Sequence, residues 1–217
     1  MTSASTGDDE RLLACLSGEG RPDVSRETLA RLHRYADCLR VEAADQNLVS
    51  RATLTSLWER HIVDSAQLVR FAASSDASWV DIGAGAGLPG LVIALLTCGP
   101  MLLVEPRRLR AEFLSRMIAA LGLGDRVSVA PQKVEKLTGQ FDVITARAVA
   151  PLNRLFALST HLSTKKTVWV LPKGRSAKSE LAEARRNWHC DVDSVPSCTD
   201  PEAQILVLRD VKARGGR

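Results

Sequence analysis

The sequence predicts an α/β fold. Its core is a seven-stranded, mostly parallel sheet covered by helices on both faces, and a helical extension precedes it. Three observations predict it. Short apolar runs alternate with helical patterns from Trp79 onward, no strand-like run precedes residue 75, and a glycine-rich segment joins the first apolar run to the first helical one.

The extension comes first. Ser25 is placed to cap a helix, with Leu29, Leu32, Ala36 and Leu39 following at spacings of three and four. A second amphipathic run, Leu54, Leu57, Trp58, Ile62, Ser65, Leu68 and Val69, ends at the Ser74–Ser75 break. Strands are then expected at 79–82, 101–105, 126–130, 141–145, 166–171, 189–195 and 204–209, with helices at 88–97, 108–121, 151–161 and 177–187. No helix separates the last two strands, and Pro196 and Pro201 mark a turn, so these two are expected to pair as an antiparallel hairpin at the sheet edge. The chain therefore divides into a helical extension at 1–75, an α/β core at 76–210 and a basic flexible tail at 211–217, with frayed ends at 1–7 and 211–217.

Composition narrows the function classes. Hydrophobic residues make up 45% and charged residues 25% of 217, the balance of a globular chain with a full core. The net charge of +4 is too small to diagnose nucleic-acid binding, although a local basic patch would suffice. Five cysteines without a C-x-x-C pair point to reduced thiols in a cytoplasm rather than a disulfide framework or zinc site. The start, MTSASTGDDE, has neither basic flank nor apolar core, so no signal peptide is expected. The longest apolar stretch, Leu88–Cys98, is too short to span a bilayer.

The sharpest signal is Asp81-Ile82-Gly83-Ala84-Gly85-Ala86-Gly87-Leu88-Pro89-Gly90, at the carboxyl end of the first strand, where open α/β sheets bind ligands. Glycines there let the backbone turn tightly and approach a ligand with no Cβ in the way. Two frames fit. Gly85, Gly87 and Gly90 match the G-x-G-x-x-G dinucleotide fingerprint; Gly83, Gly85 and Gly87 match the G-x-G-x-G loop of methyltransferases. Glu105 closes the second strand and would receive ribose hydroxyls in either frame, so spacing does not decide. Context does: a dehydrogenase needs a further substrate domain, and Pro89 removes a backbone donor that a pyrophosphate would use. S-adenosylmethionine has no pyrophosphate. Seven strands with a terminal hairpin is also the count of the class I methyltransferase sheet, a Rossmann-like fold.

The chain resembles the RsmG (GidB) methyltransferases, which modify N7 of guanine 527 in 16S ribosomal RNA. The likeness runs from about Asn47 to Leu208. It is densest in Trp58-Glu59-Arg60-His61-Ile62-Val63-Asp64-Ser65, in the glycine loop with its Leu88-Pro89-Gly90 ending, in Thr145-Ala146-Arg147-Ala148-Val149-Ala150 and in Lys173-Gly174. Two departures stand out: Asn47-Leu48-Val49, where the family often has Asn-Leu-Thr, and Glu105-Pro106-Arg107. The resemblance implies S-adenosylmethionine as cofactor, contacted at Gly83, Leu88, Val134, Glu135 and Arg147, with Gly85 and Gly87 completing the loop and Glu105 on the ribose. It implies 16S ribosomal RNA or the 30S subunit as partner, and a cytoplasmic location.

Methyl transfer from a sulfonium is an in-line displacement, and guanine N7 carries a lone pair and no proton. No general base, nucleophile or metal is required, and the sequence offers no motif for one; a monomer without metal or membrane is expected. Arg147, past the fourth strand, and Lys173, past the fifth, are the candidate catalytic residues. Arg147 is suited to hold phosphate, stack on a base or contact the cofactor, and Lys173 to meet RNA phosphate. His61 and Asp64, three apart, read as a mutually hydrogen-bonded pair tying the extension to the sheet. Arg107, Arg108, Arg110, Arg116, Lys165, Lys166, Lys173, Arg175 and Lys178 recur at loops, several near the carboxyl edge, where they would attract RNA. The rival readings are a different methyltransferase, a nicotinamide-dependent oxidoreductase and a non-catalytic RNA-binding module.

Overall fold

The computed structural model describes residues 3–18, 24–46 and 48–215. Asn47 and the two outermost residues at each end, on which parts of the expectations above fall, lie outside them.

The extension is helical. α1 (Ser3–Cys15) begins within the stretch expected to fray. α2 (Arg26–Asp45) starts where expected, with the Ser25 hydroxyl accepting from the Thr28 amide. The second amphipathic run is not one α-helix. It is a π-helix at Trp58–Val63, one α turn, α3 (Asp64–Ala66), and a 3-10 helix at Gln67–Phe71. π-turns add a residue per turn and rotate the following side chains, which periodicity at 3.6 does not foresee.

The sheet has seven strands in the order β3-β2-β1-β4-β5-β7-β6. These are β1 (Trp79–Ile82), β2 (Met101–Val104), β3 (Val127–Ala130), β4 (Val143–Ala146), β5 (Val168–Lys173), β6 (Trp188–Pro196) and β7 (Gln204–Ala213). The first five pair in parallel. β7 then enters antiparallel between β5 and β6, so the expected hairpin is present and its second strand is the inner one. β7 runs on to Ala213, paired with Trp188, so the tail expected from 211 starts as strand. Between the strands lie α4 (Gly90–Leu96), α5 (Arg108–Ala120), α6 (Leu152–Ser159) and α7 (Ala177–Ala184).

All four residues of β1 are buried, as a central parallel strand covered on both faces requires. Trp79 faces a core shared by Leu91, Phe113, Leu32, Leu39 and Trp58; Val80 and Ile82 face a second core with Phe156 and Trp169. The extension thus has no separate core. Its apolar faces complete the one beneath α4 and α5.

Candidate active site

Register brings the sequence-predicted residues to one edge. Ile82 pairs with Val104 on one side and Ala146 on the other, so Gly83, Glu105 and Arg147, each the next residue, leave the sheet side by side. Lys173 closes β5 beyond them. β1 and β4 are neighbours while the crossover from β1 goes the other way to β2, which makes this the switch point where such sheets open a crevice.

On the β1–β2 side, Gly83, Gly85 and Gly87 all have left-handed φ, at 68°, 56° and 94°. Their open faces differ. A Cβ on Gly87 would meet the Leu91 side chain at 2.5 Å, and one on Gly90 would meet Leu103 at 2.4 Å, so these two serve helix packing. A Cβ on Gly85 would meet nothing nearer than 3.7 Å, and one on Gly83 would meet Cγ2 of Val149 at 2.6 Å. The Gly85 amide donates to Glu105 Oε2 at 3.0 Å and the Arg107 amide to Oε1 at 2.8 Å, fixing the buried Glu105 carboxylate at the loop. Beneath it Asp81 is 1% exposed. One oxygen accepts from the Gly90 amide at 2.9 Å and the other has no partner. Burial pushes its pKa up to about 7, against the Gly90 hydrogen bond and Arg147, which lower it.

Leu88 and Val134 are buried apolar side chains, Val134 in the second core at the 3-10 turn Val134–Lys136, while Glu135 is exposed beside it. None of these three lines the cleft that Lys173 lines.

On the β4–β5 side a cleft of about 580 Å³ is lined by Arg147, Lys173, Arg60, His61 and Asp64, and by Asp200 from the β6–β7 connection. Val149 lines it too, and so stands between the cleft and Gly83. Arg147 is held by the π-helix. Its guanidinium donates to Nδ1 of His61 at 2.5 Å, and Asp64 Oδ2 is 3.3 Å from its other terminal nitrogen. That nitrogen is at ion-pair distance yet buried without a hydrogen bond. Burial first, then the charges of Arg147 and Arg60, lower the His61 pKa to about 4, so the ring is neutral at pH 7. With Nδ1 accepting, Nε2 carries the proton and donates to Thr53 Oγ1 at 2.9 Å; Thr53 in turn donates to the Ser50 carbonyl.

His61 and Asp64 therefore do not pair with each other. Both converge on Arg147, because the π-turn between them aims them at β4. Asp64 Oδ1 also accepts from Gln67 at 2.9 Å and from Thr199 at 2.8 Å. Thr53 and Thr199 carry no signal in the sequence. Thr199 lies 135 residues from Asp64 and no local pattern links them. Val149 lies in the Thr145–Ala150 segment, where the positive φ of Ala148 (55°) turns the chain.

Lys173, expected to meet RNA phosphate, is engaged within the chain. Its ammonium donates to Glu180 Oε2 at 2.8 Å and to the Ala150 carbonyl at 3.2 Å, and its side chain is 12% exposed. Burial pushes Glu180 up, but hydrogen bonds from Lys173 and Ser176 outweigh it and leave the carboxyl below its ordinary range. Three of the basic residues expected to attract RNA are likewise paired: Arg108 with Glu112, Arg116 with Glu42, Arg175 with Glu202. Lys165 and Lys166 precede β5 and lie at its opposite end. Among the described residues no group of His, Cys, Asp or Glu is arranged to hold a metal, and no helix is long and apolar enough to cross a membrane.

Residues 28–206 match the family described as rRNA small subunit methyltransferase G. The chain is 48% identical to ribosomal RNA small subunit methyltransferase G of Rhizorhabdus wittichii, over 91% of each chain. It is 44% identical to that of Zymomonas mobilis, over 87% of this chain and 88% of the relative. Among solved structures it is similar to a SAM-dependent methyltransferase from Aquifex aeolicus, with a TM-score of 0.56 and 13% identity over 71% of this chain and 92% of the other. A ribosomal protein L11 methylase from Lactobacillus delbrueckii subsp. bulgaricus matches with a TM-score of 0.54 and 12% identity, over 72% and 79%. Both likenesses concern the fold.

Proposed function

The chain belongs to the rRNA small subunit methyltransferase G family, and from that premise we propose how its two half-sites divide the work. It is an S-adenosylmethionine-dependent methyltransferase of small-subunit ribosomal RNA, and N7 of guanine 527 in 16S RNA is the acceptor.

The glycine loop and Glu105 would hold the cofactor. Gly85 presents an open backbone face, and the Glu105 carboxylate, held by two amides, keeps further lone pairs for ribose hydroxyls. Gly83, Gly87, Leu88, Val134 and Glu135 border that half-site in our reading. The cofactor supplies an electrophilic methyl group on a sulfonium. The residues need only align the acceptor, exclude water and leave its lone pair free.

The observation that carries the acceptor assignment is Arg147. It lines the cleft, is oriented by His61 and Asp64, and keeps a buried nitrogen without a hydrogen bond. A buried unsatisfied donor beside an open cleft favours an acceptor-rich ligand, and a guanine or its phosphate is one. Lys173 would act from the second rank, holding the Ala150 turn that carries Val149. A ribosomal substrate would place the chain in the cytoplasm. The chain is proposed to act as a monomer.

The test is transfer of labelled methyl to 30S particles and to naked 16S RNA, with mapping of the base. A single N7-methylguanine at 527 is expected. Label on another base would keep the methyltransferase and overturn the acceptor; no transfer with cofactor bound would overturn the substrate.

A further inference from the structure

Two cysteines 183 residues apart in sequence meet beside the cleft: Sγ of Cys15 lies 2.6 Å from Sγ of Cys198. Each is presented by backbone that is anchored independently of the other. Cys15 ends α1, which is docked on the π-helix by Trp58 Nε1 donating to the Asp8 carbonyl at 2.8 Å and by Arg11 paired with Glu59. Cys198 lies in the β6–β7 connection, where its amide donates to the fully buried Gln67 side chain at 2.9 Å. Its neighbours Ser197 and Thr199 both hydrogen-bond Asp64.

We infer that Cys15 and Cys198 form a reversible dithiol–disulfide site which, when oxidised, ties α1 covalently to the β6–β7 connection next to Asp64 and Arg147. A disulfide needs sulfurs about 2.05 Å apart, and these already lie at 2.6 Å. Cys198 is the exposed member, reachable by an oxidant, and the hydrogen bond from Cys15 followed by the charge of Arg70 lowers its thiol pKa despite burial. The oxidant is a small disulfide such as oxidised glutathione. The Cys198 thiolate attacks one of its sulfurs and expels one glutathione thiolate. Cys15, losing its proton to solvent, then attacks the Cys198 sulfur and expels the second. Two thiols become one disulfide and two glutathione thiols form, so electrons and protons balance. In a reducing cytoplasm the pair rests as thiols, which agrees with the reduced state read from the cysteine pattern.

The experiment uses the full chain, reduced and then incubated with oxidised glutathione. Maleimide-reactive thiols in denaturant should fall from five to three, with loss of two hydrogens from the intact mass. A non-reducing digest should link the Cys15 peptide to the one bearing Cys198. The thermal midpoint should rise by about 10 °C, because the closed loop is long. Cys190→Ser should close like the wild type, whereas Cys198→Ser should not, and Cys15→Ser should trap glutathione on Cys198. A count that stays at five, glutathione retained on wild-type Cys198, or a cross-link between other cysteines would overturn the inference.

Discussion

The Arg147 guanidinium donates to Nδ1 of a His61 ring that is neutral at pH 7, so a histidine acts here as an acceptor that aims an arginine. The aim depends on the Thr53 hydroxyl, which accepts a hydrogen bond from Nε2–H and thereby fixes the tautomer. His61→Ala removes the acceptor and leaves Arg147 to Asp64 alone. Methyl transfer to 30S particles is expected to fall roughly 10- to 100-fold, since displacements of an ångström at a reacting centre cost that much. Cofactor affinity, measured by calorimetry, should change little, and His61→Gln should recover part of the rate through its carbonyl. Unchanged transfer in His61→Ala would sink the positioning role.

Gly83 and Val149 touch across the line between the two half-sites, and a double-mutant cycle reads that contact. Gly83→Ala meets Val149 at 2.6 Å and also adopts φ of 68°. The left-handed backbone alone costs about 1–2 kcal/mol, and the overlap adds about 1 kcal/mol or more. Val149→Ala should return the second part only. Gly85→Ala has no such overlap, so it should show the conformational cost without rescue by Val149→Ala. Urea unfolding of the three single variants and the two doubles with Val149→Ala measures both. Rescue of Gly85→Ala, or none of Gly83→Ala, would contradict this division of roles.

Lys173 and Glu180 make a pair with side chains only 12% and 20% exposed, so breaking it leaves a charge in poor solvent. Lys173→Ala is expected to cost about 1–3 kcal/mol, discounted from the buried-pair range for the water that still reaches the site. Adding Glu180→Ala should restore part of it. If Lys173 instead serves RNA phosphate directly, the single variant would keep its stability and lose salt-dependent RNA affinity.

Much of this was legible in the sequence for a physical reason. Strands such as Trp79–Ile82 are short apolar runs punctuated by glycine or charge, and a parallel sheet requires them. The same logic placed Gly83, Glu105, Arg147 and Lys173 at strand ends, and register then set them along one edge. What escaped had no local signature. The π-turn at Trp58–Val63 has the same composition as an α-helix, so its effect on His61 and Asp64 is set by packing on α1 and α2. Thr199 and Cys198 reach the site only because β7 turns back between β5 and β6. The pairing of Lys173 with Glu180, seven residues away, needs the turn into α7, which spacing alone does not reveal.

Asp81 and His61 should give opposite pH dependences of stability. Asp81, with an ordinary value of 3.8 and about 7 in the fold, holds its proton more tightly when folded. Its contribution is full below about pH 4 and is lost as pH rises through 7. His61, ordinarily 6.5 and about 4 in the fold, contributes fully above 6.5, and that is lost as pH falls through 4. Between pH 4 and 6.5 the two slopes largely offset each other in the wild type. Asp81→Asn removes one, so stability should climb across that window by an amount on the order of 3 kcal/mol. His61→Gln removes the other, so stability should decline from pH 4 to 7 by a similar amount. Glu180, Asp142 and Asp210, all lowered, act only as pH falls through and below the ordinary carboxylate range and leave the comparison above it intact. Urea unfolding at intervals from pH 4.5 to 7.5 separates the cases: two variants that both run parallel to the wild type would mean that neither buried group titrates as its surroundings dictate.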